Sequence, residues 1–393
     1  MKKFHKEKEE QNNFNQIHFN NLKIMKNKYQ NEKEKEFISY NNNKNNNINM
    51  NINSNKKYLN DIIKDNICYS KYNICGIINY GKNDFLNTSL QILSSCEIFV
   101  NILNKYSNYK SELLKLLKEA INIILTQEKY DPRDFLDYYH KISQDFENQS
   151  CCQNFIRTLL KNLNNQIYNQ NSDYFACYIK YRPKNESKEY QVFNEFLKSN
   201  NLERESKLLT LFSGVSKFHS FGKCHICNYQ IDEFSFSYFL DQLLYLDFIK
   251  CKCSFEKVLN ENYGKSNNLT LNCPYCKQET TIKEEAKIIK LPEILMFTLE
   301  RNQGSTNNVE IMPNEIIDMS RYVDESLKFT NTSTIFELFA ISIIFGTTQN
   351  NRHELCQVKR NGQWYEINDT MVKKINSTSY FDRSYGLFYK KKN

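Results

Sequence analysis

Apolar residues recur at helical spacing in the first globular third of this chain. Leu90, Leu93, Phe99 and Leu103 mark one such face between Leu86 and Tyr106. Leu113, Leu114, Leu117, Ala120 and Ile124 mark a second between Ser111 and Gln127. Asp131-Pro132 offers an N-cap followed by a proline at the first helical position, opening a helix through Phe135 and Tyr139. Phe155 to Leu163 continues the helical pattern. Beyond Leu208 the period changes. Short alternating or β-branched runs predict strands over Leu208–Val215, Phe234–Phe239, Thr280–Ile289, Leu295–Leu299, Phe336–Ile344, Leu355–Lys359, Trp364–Ile367 and Tyr385–Tyr389. A helical lobe followed by a long antiparallel β region makes an α+β chain.

The first 57 residues break both patterns. They are rich in Asn and Lys, ending in the tract from Asn41 to Asn55, and carry too little apolar surface to offset the entropy of ordering them. The expectation is a disordered tail over 1–57 and a globular domain over 58–393. The chain has 393 residues and a net charge of +8, of which residues 1–57 hold +6 from twelve Lys and six Glu. Glu is interspersed and no five-residue basic block forms, which argues against nucleic acid as a partner. No run of about 18 uncharged apolar residues predicts a membrane span. The N-terminus lacks the apolar stretch of a secretory signal. Thirteen cysteines are then expected in a reducing compartment, cytoplasmic or nuclear, serving metals, catalysis or packing rather than disulfides.

Four of those cysteines form two C-x-x-C knuckles, Cys224-His-Ile-Cys227 and Cys273-Pro-Tyr-Cys276, 45 residues apart. Each pair can wrap one edge of a tetrahedral Zn²⁺, and four thiolates close a structural site. The wide gap fits knuckles that cap separate hairpins. Cys251 and Cys253 form a C-x-C that competes on composition, but neighbouring strand positions of that kind serve a different geometry.

The chemistry-bearing stretch is Gly76-Ile-Ile-Asn79-Tyr-Gly81-Lys-Asn-Asp84-Phe-Leu-Asn87-Thr-Ser-Leu90-Gln91. It resembles the nucleophile box of the ubiquitin-specific proteases, G-L-x-N-x-G-N-T-C-F/Y-M-N-S-x-L-Q. Leu291-Pro-Glu-Ile-Leu295-Met-Phe-Thr-Leu299-Glu-Arg301 is similar to the family's L-P-x-x-L-x-x-x-L-x-R strand. Ile311-Met-Pro313-Asn-Glu-Ile-Ile-Asp318-Met-Ser320-Arg-Tyr322 is similar to its F-P-x-x-L-D-L-S-x-Y segment. Arg352-His353-Glu354 and Trp364-Tyr365-Glu-Ile-Asn368-Asp369 follow G-H-Y and W-Y-x-F-D/N-D, and Tyr385-Gly-Leu-Phe388-Tyr389 follows the closing Y-x-L-F-Y. The ordered motifs span about residues 72–392.

That resemblance implies a papain-like fold with a helical thumb (about 72–205), zinc-ribbon β fingers (about 206–290) and an antiparallel β palm (about 291–393). It places the zinc knuckles at the tips of the fingers and ubiquitin, or a ubiquitin-like protein, as partner. His353 falls at the general-base position, Asn368 at the position that orients the base, and Asn79 at the oxyanion position. Asp84 stands where the family has its cysteine nucleophile. A carboxylate is already ionised, is weakly nucleophilic towards amides and would form a high-energy anhydride. Beside His353 it favours an ion pair with an imidazolium.

Neighbouring departures point the same way. The family's Q-D-A-x-E-F helix corresponds to Ser150-Cys151-Cys152-Gln153-Asn154-Phe155, with both acids gone, and Arg352 and Glu354 replace a glycine and an aromatic. Three functions remain in competition. The leading one is an inactive protease-like scaffold that binds ubiquitin or another protein. The second is a deubiquitinating thiol hydrolase using a displaced cysteine, for which Cys75 and Cys96 lie nearest, neither expected at a helix N-terminus. The third is a structural subunit that no longer binds ubiquitin.

Overall fold

The computed structural model describes residues 74–106, 110–143, 151–168, 181, 183–184, 187–200, 205–301, 309–328, 333–346 and 352–392. Contacts divide the chain into Met1–Asn66 and Ile67–Asn393, and every described residue belongs to the second unit. The Asn/Lys-rich tail expected over 1–57 lies outside the described residues.

Helices dominate the first part: α1 (Asp84–Ser94), α2 (Glu97–Lys105), α3 (Glu112–Thr126), α4 (Arg133–Ile142), α5 (Cys152–Tyr168) and α6 (Lys188–Ser199). Ser111 caps α3 by accepting from the Leu114 amide at 3.1 Å, and Ser187 caps α6 from Tyr190 at 3.1 Å. The continuous helical face expected from Leu86 to Tyr106 is interrupted. Ser94 and Ser95 turn their hydroxyls back onto the Gln91 carbonyl, and the Cys96 backbone is extended. The buried Arg360 completes the stop, donating to Ser94 Oγ at 2.6 Å, Ser95 Oγ at 2.8 Å and Gln91 Oε1 at 2.9 Å. A cation at a helix C-terminus is also favoured by the helix dipole. Pro132 sits one place before α4 rather than at its first residue, and Asp131 accepts from the Arg133 amide at 3.1 Å.

Two short strands, β1 (Gly76–Ile77) and β2 (Lys129–Tyr130), pair in parallel beside the helices. Next come the four-residue helix α7 (Lys207–Thr210) and strands β3 (Gly214–Lys223), β4 (Gln230–Phe239), β5 (Gln242–Tyr245) and β6 (Cys253–Ser254). Helix α8 (Phe255–Tyr263) precedes β7 (Asn267–Asn272), β8 (Glu279–Lys290) and β9 (Ile294–Glu300). The last part holds β10 (Ile311–Met312), β11 (Ile316–Asp318), helix α9 (Glu325–Lys328), β12 (Ile335–Phe345), β13 (His353–Arg360), β14 (Gln363–Asn368), β15 (Met371–Ile375) and β16 (Ser384–Lys391).

The expected strand over Leu208–Val215 is corrected. Ser206 caps a helical turn there, and the strand begins only at Gly214. Leu208, Leu209, Leu211 and Phe212 are all buried, and a short apolar run suits either element. The other expected strands fall inside β4, β8, β9, β12, β13, β14 and β16. Helices α6 and α8 were not foreseen, although Phe193, Phe196 and Leu197, and Phe255, Val258, Leu259 and Tyr263, stand at helical spacing.

Two sheets result. The four-stranded one runs β4-β3-β8-β7, all antiparallel. The larger runs β15-β14-β13-β12-β16-β9-β5, with β11 added on β12, and only the β5–β9 pair is parallel. Its central strands β9, β12 and β16 are apolar on both faces because both faces are covered there, whereas the edge strand β15 is exposed. Ile294, Met296 and Phe388 join the helices α1–α5 in one core, while Leu295, Phe297, Leu387 and Tyr389 join α8 in another. The alternation is the two-residue period of a strand. Helix α1 packs directly on β13, bringing the start of a helix to the start of a strand. No described helix is long and apolar enough to cross a membrane.

Gly76 marks where β1 presses on the turn after β14. A Cβ there would come within 2.4–2.6 Å of the Thr370 backbone, while the Ile77 amide donates to Asp369 O at 2.8 Å. Gly76→Ala is therefore expected to lower stability by about 1–3 kcal/mol through overpacking. Urea denaturation measures it, and an unchanged midpoint contradicts this close approach.

Candidate functional site

Asp84 is the first residue of α1, and His353 the first of β13. Their side chains meet, His353 Nδ1 lying 3.4 Å from Asp84 Oδ2. The same carboxylate accepts from the Glu354 amide at 2.7 Å and from the Phe85 amide at 3.0 Å. On the other side of the ring, His353 Nε2 is 2.7 Å from Asn368 Oδ1. Both ring nitrogens thus face acceptors, an arrangement that suits imidazolium. The Asp84 hydrogen bond, with Asn368 and Asp369 adding to it and burial opposing, pushes His353 up to about 9. Burial alone would raise Asp84, but His353 and the two amides outweigh it and hold the carboxyl below its ordinary range.

The sign of the pH dependence follows. Raised above its ordinary 6.5, His353 contributes stability that is full below that value and lost as pH rises through about 9. Depressed below 3.8, Asp84 contributes above that value and loses its contribution as pH falls through its lower folded pKa.

Asn79 is held by a polar network. Its Nδ2 donates to Asp369 Oδ2 at 2.9 Å, and its Oδ1 accepts from the Gly81 amide at 2.7 Å. Asn87 Nδ2 donates to the other Asp369 oxygen at 2.7 Å, and Asn83 Nδ2 to Asn87 Oδ1 at 2.9 Å. Asp369 has a positive φ of 51° at the β14–β15 turn, from which its carboxylate reaches two amides of the α1 region. The structure therefore brings Asp84, His353, Asn368 and Asn79 to one place and adds Asp369, Asn83 and Asn87. The sequence reading gave these three no role, although the Asn83–Asn87 spacing of four was the available signal.

Around the pair, Arg352 lies over the Tyr385 ring at 5.3 Å. Glu354 is 2% exposed, and its Oε2 accepts from the Cys152 amide at 2.9 Å. Burial pushes its carboxyl up to about 8. Asn154 accepts from Arg157, which pairs with Asp241 at 2.9 Å. Cys96 corrects one expectation: the helix break makes it the N-cap residue of α2. It is nonetheless 1% exposed, and burial drives its thiol up to about 11, as it does Cys75. Burial likewise pushes Cys151 up to about 12.

The four knuckle cysteines converge at the hairpin tips of the smaller sheet, their sulfurs all within 4.8 Å of one another. Cys224 and Cys276 sulfurs are 3.7 Å apart, as are those of Cys227 and Cys273. A tetrahedral zinc with bonds of about 2.3 Å has sulfur–sulfur edges of about 3.8 Å, so this donor set fits the ion. The knuckles match each other. Asn228 and Lys277 have φ of 58° and 61°, and each accepts the same tight turn, Asn228 N to Cys224 O and Lys277 N to Cys273 O at 2.9 Å. His225 points elsewhere, its Nδ1 2.9 Å from Thr280 Oγ1. Backbone amides of Cys227 and Ile226 pull the Cys224 thiol below its ordinary range, while the neighbouring thiols of the cluster help push Cys227 up to about 12. Cys251 and Cys253 do not join the cluster.

The family model for ubiquitin carboxyl-terminal hydrolases matches residues 75–389. The probable ubiquitin carboxyl-terminal hydrolase 4 of Schizosaccharomyces pombe is 21% identical over 370 residues, 84% of this chain and 60% of that protein. Ubiquitin carboxyl-terminal hydrolase 17-like protein B of Mus musculus is 28% identical over 180 residues, 44% of this chain and 36% of that protein. The chain thus spans less than two thirds of either relative. Among solved structures, a chain of the SAGA Ubp8/Sgf11/Sus1/Sgf73 DUB module bound to ubiquitin aldehyde superposes with a TM-score of 0.61 at 20% identity, covering 86% of this chain and 74% of that one. A chain of the yeast SAGA DUBm with a mutant Sgf73 gives 0.62 at the same identity and coverage. These likenesses establish the fold.

Purified protein is expected to carry one zinc per chain, assayed by mass spectrometry of the metal. Cys273→Ser should lose it and lower Tm by at least about 5 °C. A metal-free wild type whose Tm ignores chelators contradicts the site.

Proposed function

This chain belongs to the ubiquitin carboxyl-terminal hydrolase family, and we propose that it is a catalytically inactive, ubiquitin-specific-protease-like scaffold that binds without cleaving. Its partner is ubiquitin, a ubiquitin-like protein or another protein. The observation that carries this reading is the state of Asp84. The residue at the nucleophile position is an ionised carboxylate held by His353 and two backbone amides. Its lone pairs are spent on those donors.

In this reading His353 keeps the position of the general base and Asn368 that of its orienting partner. Proton abstraction from a nucleophile nevertheless has no counterpart, because Asp84 holds no proton and His353 already carries two. Attack by the carboxylate would exchange an amide for an anhydride, uphill in energy. Loss of a triad nucleophile typically costs on the order of 10⁶ in rate. Asn79 keeps the oxyanion position, but its amide is engaged by Asp369. The thiol-hydrolase alternative finds no support in Cys75, Cys96 or Cys151, all buried and with raised pKa values. Zinc in the finger knuckles is structural, holding the four-stranded sheet in shape. The subdomain assignment is a thumb over about 72–205, fingers over about 206–290 and a palm over about 291–393, in a cytoplasmic or nuclear protein.

Calorimetry with monoubiquitin, run beside a fluorogenic ubiquitin amide, tests this. Binding with a Kd on the order of micromolar and no fluorophore release is expected. Hydrolysis that a thiol alkylator abolishes overturns the inactive reading. A folded, zinc-loaded chain that binds no ubiquitin overturns ubiquitin as the partner and leaves the structural subunit.

A further inference from the structure

Glu354 occupies an unusual position. Its backbone amide donates to Asp84 at the start of α1, and its side chain accepts from the amide of Cys152, the first residue of α5. One residue of β13 therefore ties down the first turns of two helices. Behind it lie Cys151 and Cys152, 2% and 0% exposed. The tie is incomplete in one respect. Glu354 Oε1 is buried without a hydrogen-bond partner among the described residues, and so are Arg352 Nε and Nη2.

We propose that Glu354 is a proton-operated latch: protonated, it closes the junction of α1, α5 and β13, and opening that junction releases its proton. The groups facing it are Asp84 from α1, Cys151 and Cys152 at the start of α5, Arg352 and Cys356 on the same side of the chain as Glu354, and Tyr385 from β16. Burial, and to a lesser degree Asp84, oppose ionisation in the closed form, while the Cys152 thiol and amide favour it, as does Arg352 without forming an ion pair. The balance leaves the closed carboxyl with a pKa near 8 against an ordinary 4.5. Between these values the closed form holds a proton that the open, hydrated form does not. Opening then becomes about tenfold easier per pH unit, and levels off above the closed-state value. Acid keeps the junction shut, and mild alkali loosens it.

The two buried thiols report opening directly. Alkylation of Cys151 and Cys152 in the full chain, followed by peptide mass spectrometry, is compared with Glu354→Gln between about pH 5.5 and pH 7.5. The amide keeps an acceptor for Cys152 but cannot ionise. Thiolate formation, and any proton released at His353, act in both proteins and cancel in the ratio. The ratio of wild-type to variant rates is expected to rise about tenfold per pH unit. A ratio flat with pH overturns the latch. In the wild type, Cys151 and Cys152 must also label faster than Cys96, which is equally buried in another part of the core and reports global unfolding; this comparison suffices should the variant not fold. Parallel rates at all three cysteines also overturn it.

Discussion

A carboxylate placed between a helix N-terminus and a strand must be met by hydrogen-bond donors, because burying it unpaired costs several kcal/mol. Asp84 meets that constraint with an imidazole and two backbone amides. The consequence spreads outward. With Asp84 bound to the Glu354 amide, α1 is joined to β13. With His353 fixed as its counter-ion, Asn368 on β14 receives the second ring nitrogen. Asp369, one residue on, then collects the amides of Asn79 and Asn87 and returns the network to α1. These residues thereby form a closed set of charge-assisted hydrogen bonds, each group satisfied by another part of the fold.

Such a set is stable for reasons that oppose catalysis. A nucleophile must be poised at higher energy than its surroundings allow at rest, and a base must be able to accept a proton. In the proposed reading Asp84 and His353 are both at rest. The same logic extends to the flanking positions. Arg352 covers Tyr385, and Glu354 ties the first turn of α5 to β13, so both flanking side chains are committed to contacts within the fold. The distant zinc knuckles serve a different need. The small core of Val215, Ile289, Phe193 and Phe196 does not include the knuckle residues, and a metal held by the four cysteines would restrain those tips.

Much of this was legible in the sequence, and unevenly so. The doubled C-x-x-C spacing picked out the four cysteines that converge, because each knuckle is a local, short-range turn. The strands of the large sheet were legible because their apolar, β-branched runs are long. The helix break at Ser95 and Cys96 was not, since it depends on Arg360 arriving from β13, more than 260 positions away. Leu208–Phe212 was misread because a buried apolar run carries no period. The pairing of Asp84 with His353 followed from the motif resemblance. The burial of Glu354 and the hub at Asp369 did not, because both arise from tertiary packing that neighbouring residues do not encode.

The central claim is that Asp84 and His353 form an ion pair, and the protonation of His353 tests it most directly. The chain has six histidines, and His353→Gln assigns the one signal needed in an NMR titration of labelled imidazoles. A midpoint near 9 is predicted, falling by at least about one unit in Asp84→Asn. A wild-type midpoint near the ordinary 6.5, unchanged by that substitution, would mean a neutral imidazole and contradict the account.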